Sequence, residues 1–136
     1  MIDVQVTGLH PAKDCIWEIA VLQVEAGAVV ARHAWLLKPH CALPASASRL
    51  CGVLPAELDA QPAFNEIAAE LANVLEGRVV VGHNLRIAHA FLRRAFATAG
   101  QSVRYRQLCT LQLARAAWPD LPEYGLDALC EAQQIS

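Results

Sequence analysis

No part of this 136-residue chain contains the uninterrupted apolar run of about 18 residues that a membrane-spanning helix needs. The opening Met1-Ile2-Asp3 has neither the basic nor the apolar region of a secretory signal, so the expected compartment is the cytoplasm. Cysteine supplies no framework. The five cysteines, Cys15, Cys41, Cys51, Cys109 and Cys130, are odd in number, widely spaced and never in a C-x-x-C pair, which argues against both a disulfide scaffold and a zinc knuckle. They are expected to be reduced, packing residues. Charge is also sparse, with a net of −2 that by itself selects no polyanionic partner. One local absence says more: between Arg78 and Pro119 there is no Asp or Glu, while seven arginines (Arg78, Arg86, Arg93, Arg94, Arg104, Arg106, Arg115) lie there. This asymmetry marks a phosphate-binding side, unless the arginines fold back onto acids elsewhere in the chain.

What is present is apolar. A hydrophobic content of 55% in a chain of this length suits one domain with one core. Residues 1–7 alternate, with Ile2, Val4 and Val6 on one side and Asp3, Gln5 and Thr7 on the other, which predicts a strand that places Asp3 and Gln5 on one face. Cys15–Glu25 and Ala28–Leu37 read as a hairpin closed by Ala26-Gly27. The stretch from Pro39 to Pro55 reads as irregular. Pro62 then opens a helix whose Phe64, Ile67, Leu71, Val74 and Leu75 keep the helical period up to Gly77. Arg78–Val81 is expected to be a central strand buried on both faces, followed by a helix over Arg86–Ala99, an edge strand over Val103–Leu108, and short helices over Thr110–Trp118 and Leu126–Ala132. An antiparallel opening followed by alternating helix and strand predicts an α/β fold, a mixed sheet with helices on its faces. In such sheets the ligand crevice lies at the carboxyl ends of strands, which points at Thr7-Gly8 and Gly82-His83-Asn84.

Several segments, in order, resemble the DEDD 3′-to-5′ exonucleases, the superfamily of bacterial proofreading subunits and ribonuclease T. Asp3-Val4-Gln5-Val6-Thr7-Gly8 resembles the first motif, Asp-x-Glu-x-Thr-Gly. Ile16-Trp17-Glu18-Ile19-Ala20 is similar to the second strand, and Leu50-Cys51-Gly52-Val53 to the His-Gly-Ile turn. His83-Asn84-Leu85-Arg86-Ile87-Ala88-His89-Ala90-Phe91-Leu92 resembles the second motif, His-Asn-x-x-Phe-Asp-x-x-Phe-Leu. Cys109-Thr110-Leu111 and Leu126-Asp127-Ala128-Leu129-Cys130 match the segment that ordinarily begins Asp-Thr. The resemblance covers nearly the whole chain. It implies a single exonuclease-like domain over residues 1–136 with a ribonuclease H-like sheet, antiparallel in its first three strands and then parallel, lacking the helix of the third motif.

In that family two divalent metals sit between carboxylates, one activating water and both stabilising the oxygens that exchange at the phosphate. Hard cations of this kind need carboxylate oxygen. Only Asp3 survives as a motif carboxylate and metal ligand. Gln5 and Ala88 stand at two lost ligand positions, and the third motif, His-x-x-x-x-Asp, would lie beyond Ser136. The resemblance places Thr7, Gly8 and Leu9 against a terminal nucleotide, with Leu9 as an apolar wedge; the alternative is a strand-ending turn that needs Gly8. His83 and Asn84 stand at a strand end before a helix N-terminus, where free N–H groups and the helix dipole favour anions, unless they are turn residues that satisfy local backbone bonds, and Arg86 is grouped with them as a nucleic-acid contact. It assigns Glu18 and Asp127 no chemistry.

The expected function is therefore a degenerate, catalytically inactive exonuclease-like domain that binds a protein partner, its own copy or single-stranded nucleic acid. No cofactor is expected. The alternative is an active 3′-to-5′ exonuclease on DNA or RNA, using Mg²⁺ or Mn²⁺ and completed by residues outside this chain.

Overall fold

The computed structural model describes residues 1–43, 45 and 52–135. Alternation along the first strand, β1 (Ile2–Val6), turns Ile2, Val4 and Val6 to the core and leaves Asp3 exposed. β2 (Ile16–Glu25) and β3 (Ala28–Leu36) form the expected hairpin. Its two turn residues, Ala26 and Gly27, both take positive φ (49° and 80°), the backbone that matches the right-handed twist of the flanking strands. The three strands are antiparallel in the order β1-β2-β3.

Five residues, Pro55–Asp59, make the short helix α1, which begins where the irregular stretch ends and is too brief to display a period. α2 (Phe64–Leu75) follows the predicted pattern and buries Ile67, Ala68, Leu71, Ala72, Val74 and Leu75. Glu66 caps its start by accepting the Ala63 N–H at 2.8 Å, and Gly77 leaves the helix at a φ of 70°. β4 (Val79–Gly82) leads into α3 (Leu85–Thr98), which buries Leu85, Phe91, Leu92 and Phe96 and leaves Arg86, Arg93 and Arg94 outside. β5 (Arg106–Cys109) pairs with β4 in parallel, from Val79↔Arg106 to Gly82↔Cys109. α4 (Thr110–Ala117) and α5 (Leu126–Gln133) close the described chain.

One core holds these parts together. Ile19, Leu37, Leu71 and Leu92 are fully buried within it, each contributing about 1.5–3 kcal/mol of hydrophobic stabilisation. Phe64 meets Phe96 edge-on at 5.3 Å, joining α2 to α3. β4 comes close to β1 at Gly82, where a Cβ would lie 3.0 Å from the Ile2 carbonyl oxygen and 2.8 Å from Leu85. Glycine is required there by space rather than by φ.

Three expectations need correction or fall outside view. β4 is not buried on both faces: Val79 is 44% exposed, because it lines an open groove with Met1, Val21 and Val24 instead of lying beneath a neighbouring strand. The cysteines are not all reduced, since Cys15 and Cys41 are joined in a disulfide across 26 residues, their Cα atoms 6.2 Å apart. The hairpin returns the chain after β3 to the start of β2, a proximity that cysteine spacing does not reveal. The Leu50-Cys51 part of the expected turn lies outside the described residues.

Candidate functional site

Asp3 and Gln5 share one face of β1, as the period of two demands. The Gln5 amide nitrogen donates to Asp3 Oδ2 at 2.9 Å, so the surviving motif carboxylate already holds a neutral donor. The register Gln5↔Glu18 adds a second carboxylate to this face, because residues directly paired across antiparallel strands project to the same side. Only strand pairing brings Glu18 here, and its position within β2 carried no such signal in the sequence. Ala88 is half-buried in the first turn of α3 and packs its methyl group against the core. His89, one residue on, bonds Tyr105 Oη through Nδ1 at 2.9 Å and meets that ring edge-on. Burial, then the nearby Arg93 guanidinium, hold the His89 pKa below its ordinary value, while burial pushes the Tyr105 phenol above its own.

The turn after β1 is wired to itself. Thr7 is buried, its hydroxyl accepts the Cys15 N–H at 3.0 Å, and its own N–H donates to the Cys15 carbonyl at 2.9 Å. The same hydroxyl lies 3.4 Å from Asp14 Oδ1 and 3.1 Å from Cys41 Sγ. Asp14 in turn accepts the His10 N–H at 2.8 Å. A Cβ on Gly8 would meet the Asp14 carboxylate at 2.5 Å, so glycine is what lets the turn close. Leu9 stands at the tip, 70% exposed, where an apolar side chain gains nothing from the fold itself.

At the end of β4, His83 uses both ring nitrogens inside the protein. Nε2 lies 2.9 Å from the Tyr124 carbonyl, which can only accept, so Nε2 donates there, while Nδ1 lies 3.0 Å from the Thr110 hydroxyl. His83 thereby ties the start of α3 to α4 and the segment before α5. Asn84 is exposed, adopts left-handed backbone at φ 52° and makes no side-chain cap, and no acid occupies the first turn of α3. Arg86 is exposed in that turn. Cys109 sits close by. Burial raises its thiol pKa, but backbone N–H groups of Gln112, Leu85, Leu111 and Asn84 outweigh burial and bring it below the ordinary thiol value.

Among the described residues one arginine of the acid-free stretch forms an ion pair, Arg78 with Glu25 at 3.2 Å, on the exposed surface where such pairs contribute little. Arg115 lies over the Tyr124 ring at 5.6 Å. Arg86, Arg93, Arg94, Arg104 and Arg106 are exposed, so the arginines do not fold back as a group onto the acids of the rest of the chain.

No helix among the described residues is long and apolar enough to cross a membrane. The arrangement of an antiparallel triplet and a parallel pair flanked by helices matches solved exonucleases. Exonuclease X in complex with 5′ overhanging duplex DNA superposes with a TM-score of 0.78 at 22% identity, over 98% of this chain and 71% of that one. Escherichia coli exonuclease I in complex with a dT13 oligonucleotide gives 0.83 at 20% identity, over 99% and 35%. Both similarities establish the ribonuclease H-like fold. In sequence, the chain is 30% identical over 132 residues to the DNA polymerase III subunit epsilon of Aquifex aeolicus, covering 96% of this chain and 65% of the relative. It is also 30% identical over 137 residues to the 3′-5′ exonuclease DinG of Bacillus subtilis, covering 99% and 15%. The chain thus spans less than two thirds of either relative. The exonuclease family model RNase_T matches residues 1–136 from end to end, and the chain belongs to that family.

Proposed function

We propose that this domain is an exonuclease fold that no longer hydrolyses nucleic acid and acts as a binding module, with single-stranded nucleic acid as its ligand. The observation that carries the reading is the contact between Gln5 and Asp3. Where the family chemistry needs two carboxylates facing two dications, an amide N–H points into the one that remains. Ala88 contributes no oxygen, and no group of three or more His, Cys, Asp or Glu side chains converges among the described residues. Asp3 with Glu18 alone on that face cannot balance a charge of +4, so the residues present do not fit a two-metal centre. No hydrolytic step is assigned to them.

The ligand follows from what the site retains. Leu9 is exposed at the tip of a glycine turn, and Arg86 and Arg93, seven residues apart on α3, share one helical face without an acidic partner among the described residues. Exposed arginines without acids nearby suit phosphates. A protein partner is the second reading, favoured by exposed Leu113, Trp118 and Leu126 on and around the two short terminal helices.

Retention of labelled single-stranded DNA and RNA at several salt concentrations tests the proposal. Binding should weaken with salt at a slope of about −0.7 per phosphate contacted. Absence of retention at low salt removes nucleic acid as the ligand and leaves the protein-partner reading.

A further inference from the structure

A cavity of about 410 Å³ lies between the Thr7–Asp14 turn, the start of α2 and the C-terminal half of α3. Cavities that hold small ligands run from about 300 to 1,000 Å³. Basic side chains from two separate parts of the chain reach it, Lys38 and His40 after β3 and Arg94 from α3. Neither Lys38 nor Arg94 forms an ion pair among the described residues, and both are exposed. The acid in the lining, Asp14, is committed to its own turn, accepting the His10 N–H at 2.8 Å and lying 3.4 Å from the Thr7 hydroxyl. Beneath the cationic rim the lining is apolar and includes half-buried Phe64 and buried Phe91.

A positive rim above an aromatic lining discriminates between ligand classes. An inorganic anion would use the rim alone, and a purely apolar molecule would leave two cations unmatched beside it. A phosphate ester with a planar body uses both, since a guanidinium presents a fork to phosphate oxygens and the rings accept a flat apolar surface. We propose that this cavity binds a nucleoside monophosphate, with Lys38 and Arg94 on the phosphate and the base against Phe64. The site goes beyond the strand-binding reading and stands whether or not that reading holds, since it requires neither Asp3 nor a strand.

A free mononucleotide and the terminal residue of a strand share this chemistry. Titration of the isotopically labelled protein with adenosine 5′-monophosphate in the presence of a chelator separates them, with a short single-stranded oligonucleotide lacking a terminal phosphate as the second arm. The expected result is saturable shifts at Phe64, Arg94 and Lys38 with the mononucleotide, and shifts at Leu9 and Arg86 with the oligonucleotide. The Lys38→Ala, Arg94→Ala double variant, checked for an unchanged melting temperature, should bind the mononucleotide at least tenfold more weakly. Inorganic phosphate should bind the native chain at least tenfold more weakly than the mononucleotide. The proposal is overturned by a mononucleotide titration without saturation, by shifts confined to Thr7–Leu9 and His83, or by phosphate binding as tightly as the nucleotide. The shift map of the unmodified protein decides the matter even if the double variant does not fold.

Discussion

Gln5 and Asp3, two residues apart on β1, are joined side chain to side chain at 2.9 Å, with the glutamine amide as donor. Exchanging the carboxylate expected at position 5 for an amide does more than delete a negative charge. It supplies a hydrogen-bond donor that favours a carboxylate without a metal. Restoring the acids should reverse this, and Gln5→Glu with Ala88→Asp is predicted to raise manganese affinity at least tenfold over the native chain in a calorimetric titration. Equal affinity for the two proteins would mean that these positions do not govern cation binding.

The arginine side carries a separate expectation. Arg86 and Arg93 are exposed on one face of α3, and each contact with a phosphate releases counterion. Arg86→Ala should weaken retention of single strands about equally for all sequences and reduce the steepness of the salt dependence by about 0.7. A change confined to one base composition would instead point to reading of the base.

The pair formed by His89 and Tyr105 predicts the pH range of stability. The neutral imidazole is favoured in the folded chain, chiefly by burial and also by Arg93, so its folded pKa lies below the unfolded value of 6.5. Its contribution is present above that value and is lost as pH falls through the lowered pKa. The half-buried phenol of Tyr105 has the opposite sign: its folded pKa lies above 10.0, and its contribution is complete below that value and lost as pH rises through the raised one. Thermal melts across pH should therefore decline on both sides of neutrality. His89→Phe should flatten the acid side and Tyr105→Phe the alkaline side. Unchanged limbs in the variants would show that other groups set the profile.

The Gly8 turn is predicted to tolerate no side chain. A methyl group there would lie 2.5 Å from a carboxylate already bound to the His10 N–H, so Gly8→Ala has to displace Asp14. The cost should be about 1–3 kcal/mol, read as a lower denaturation midpoint, with weaker strand binding if Leu9 moves with the turn. A variant as stable as the native chain would mean that the carboxylate swings aside freely.

Local pattern accounted for most of the elements, and the reasons for the exceptions are physical. Alternation in Ile2–Val6, the helical period of Phe64–Leu75 and the Ala26-Gly27 turn are properties of neighbouring residues, and each matches an observed element. α1 is too short to have a period. Exposure of Val79 and the Cys15–Cys41 disulfide depend on which segments meet in space, as does the arrival of Glu18 opposite Gln5. His83 illustrates the same limit within the site: its motif position was legible, but its two bonds reach Thr110 and Tyr124, 27 and 41 residues away, and hold the imidazole within the protein. Motif spacing named the candidate groups. Only the tertiary contacts determined which of them retain a free lone pair or proton.

The central claim, that this exonuclease fold does not cut, is tested most directly by incubating the chain with 5′-labelled single-stranded DNA and RNA in excess manganese. The account predicts strands of unchanged length, at rates indistinguishable from buffer. Stepwise shortening from the 3′ end that disappears in Asp3→Ala would contradict it.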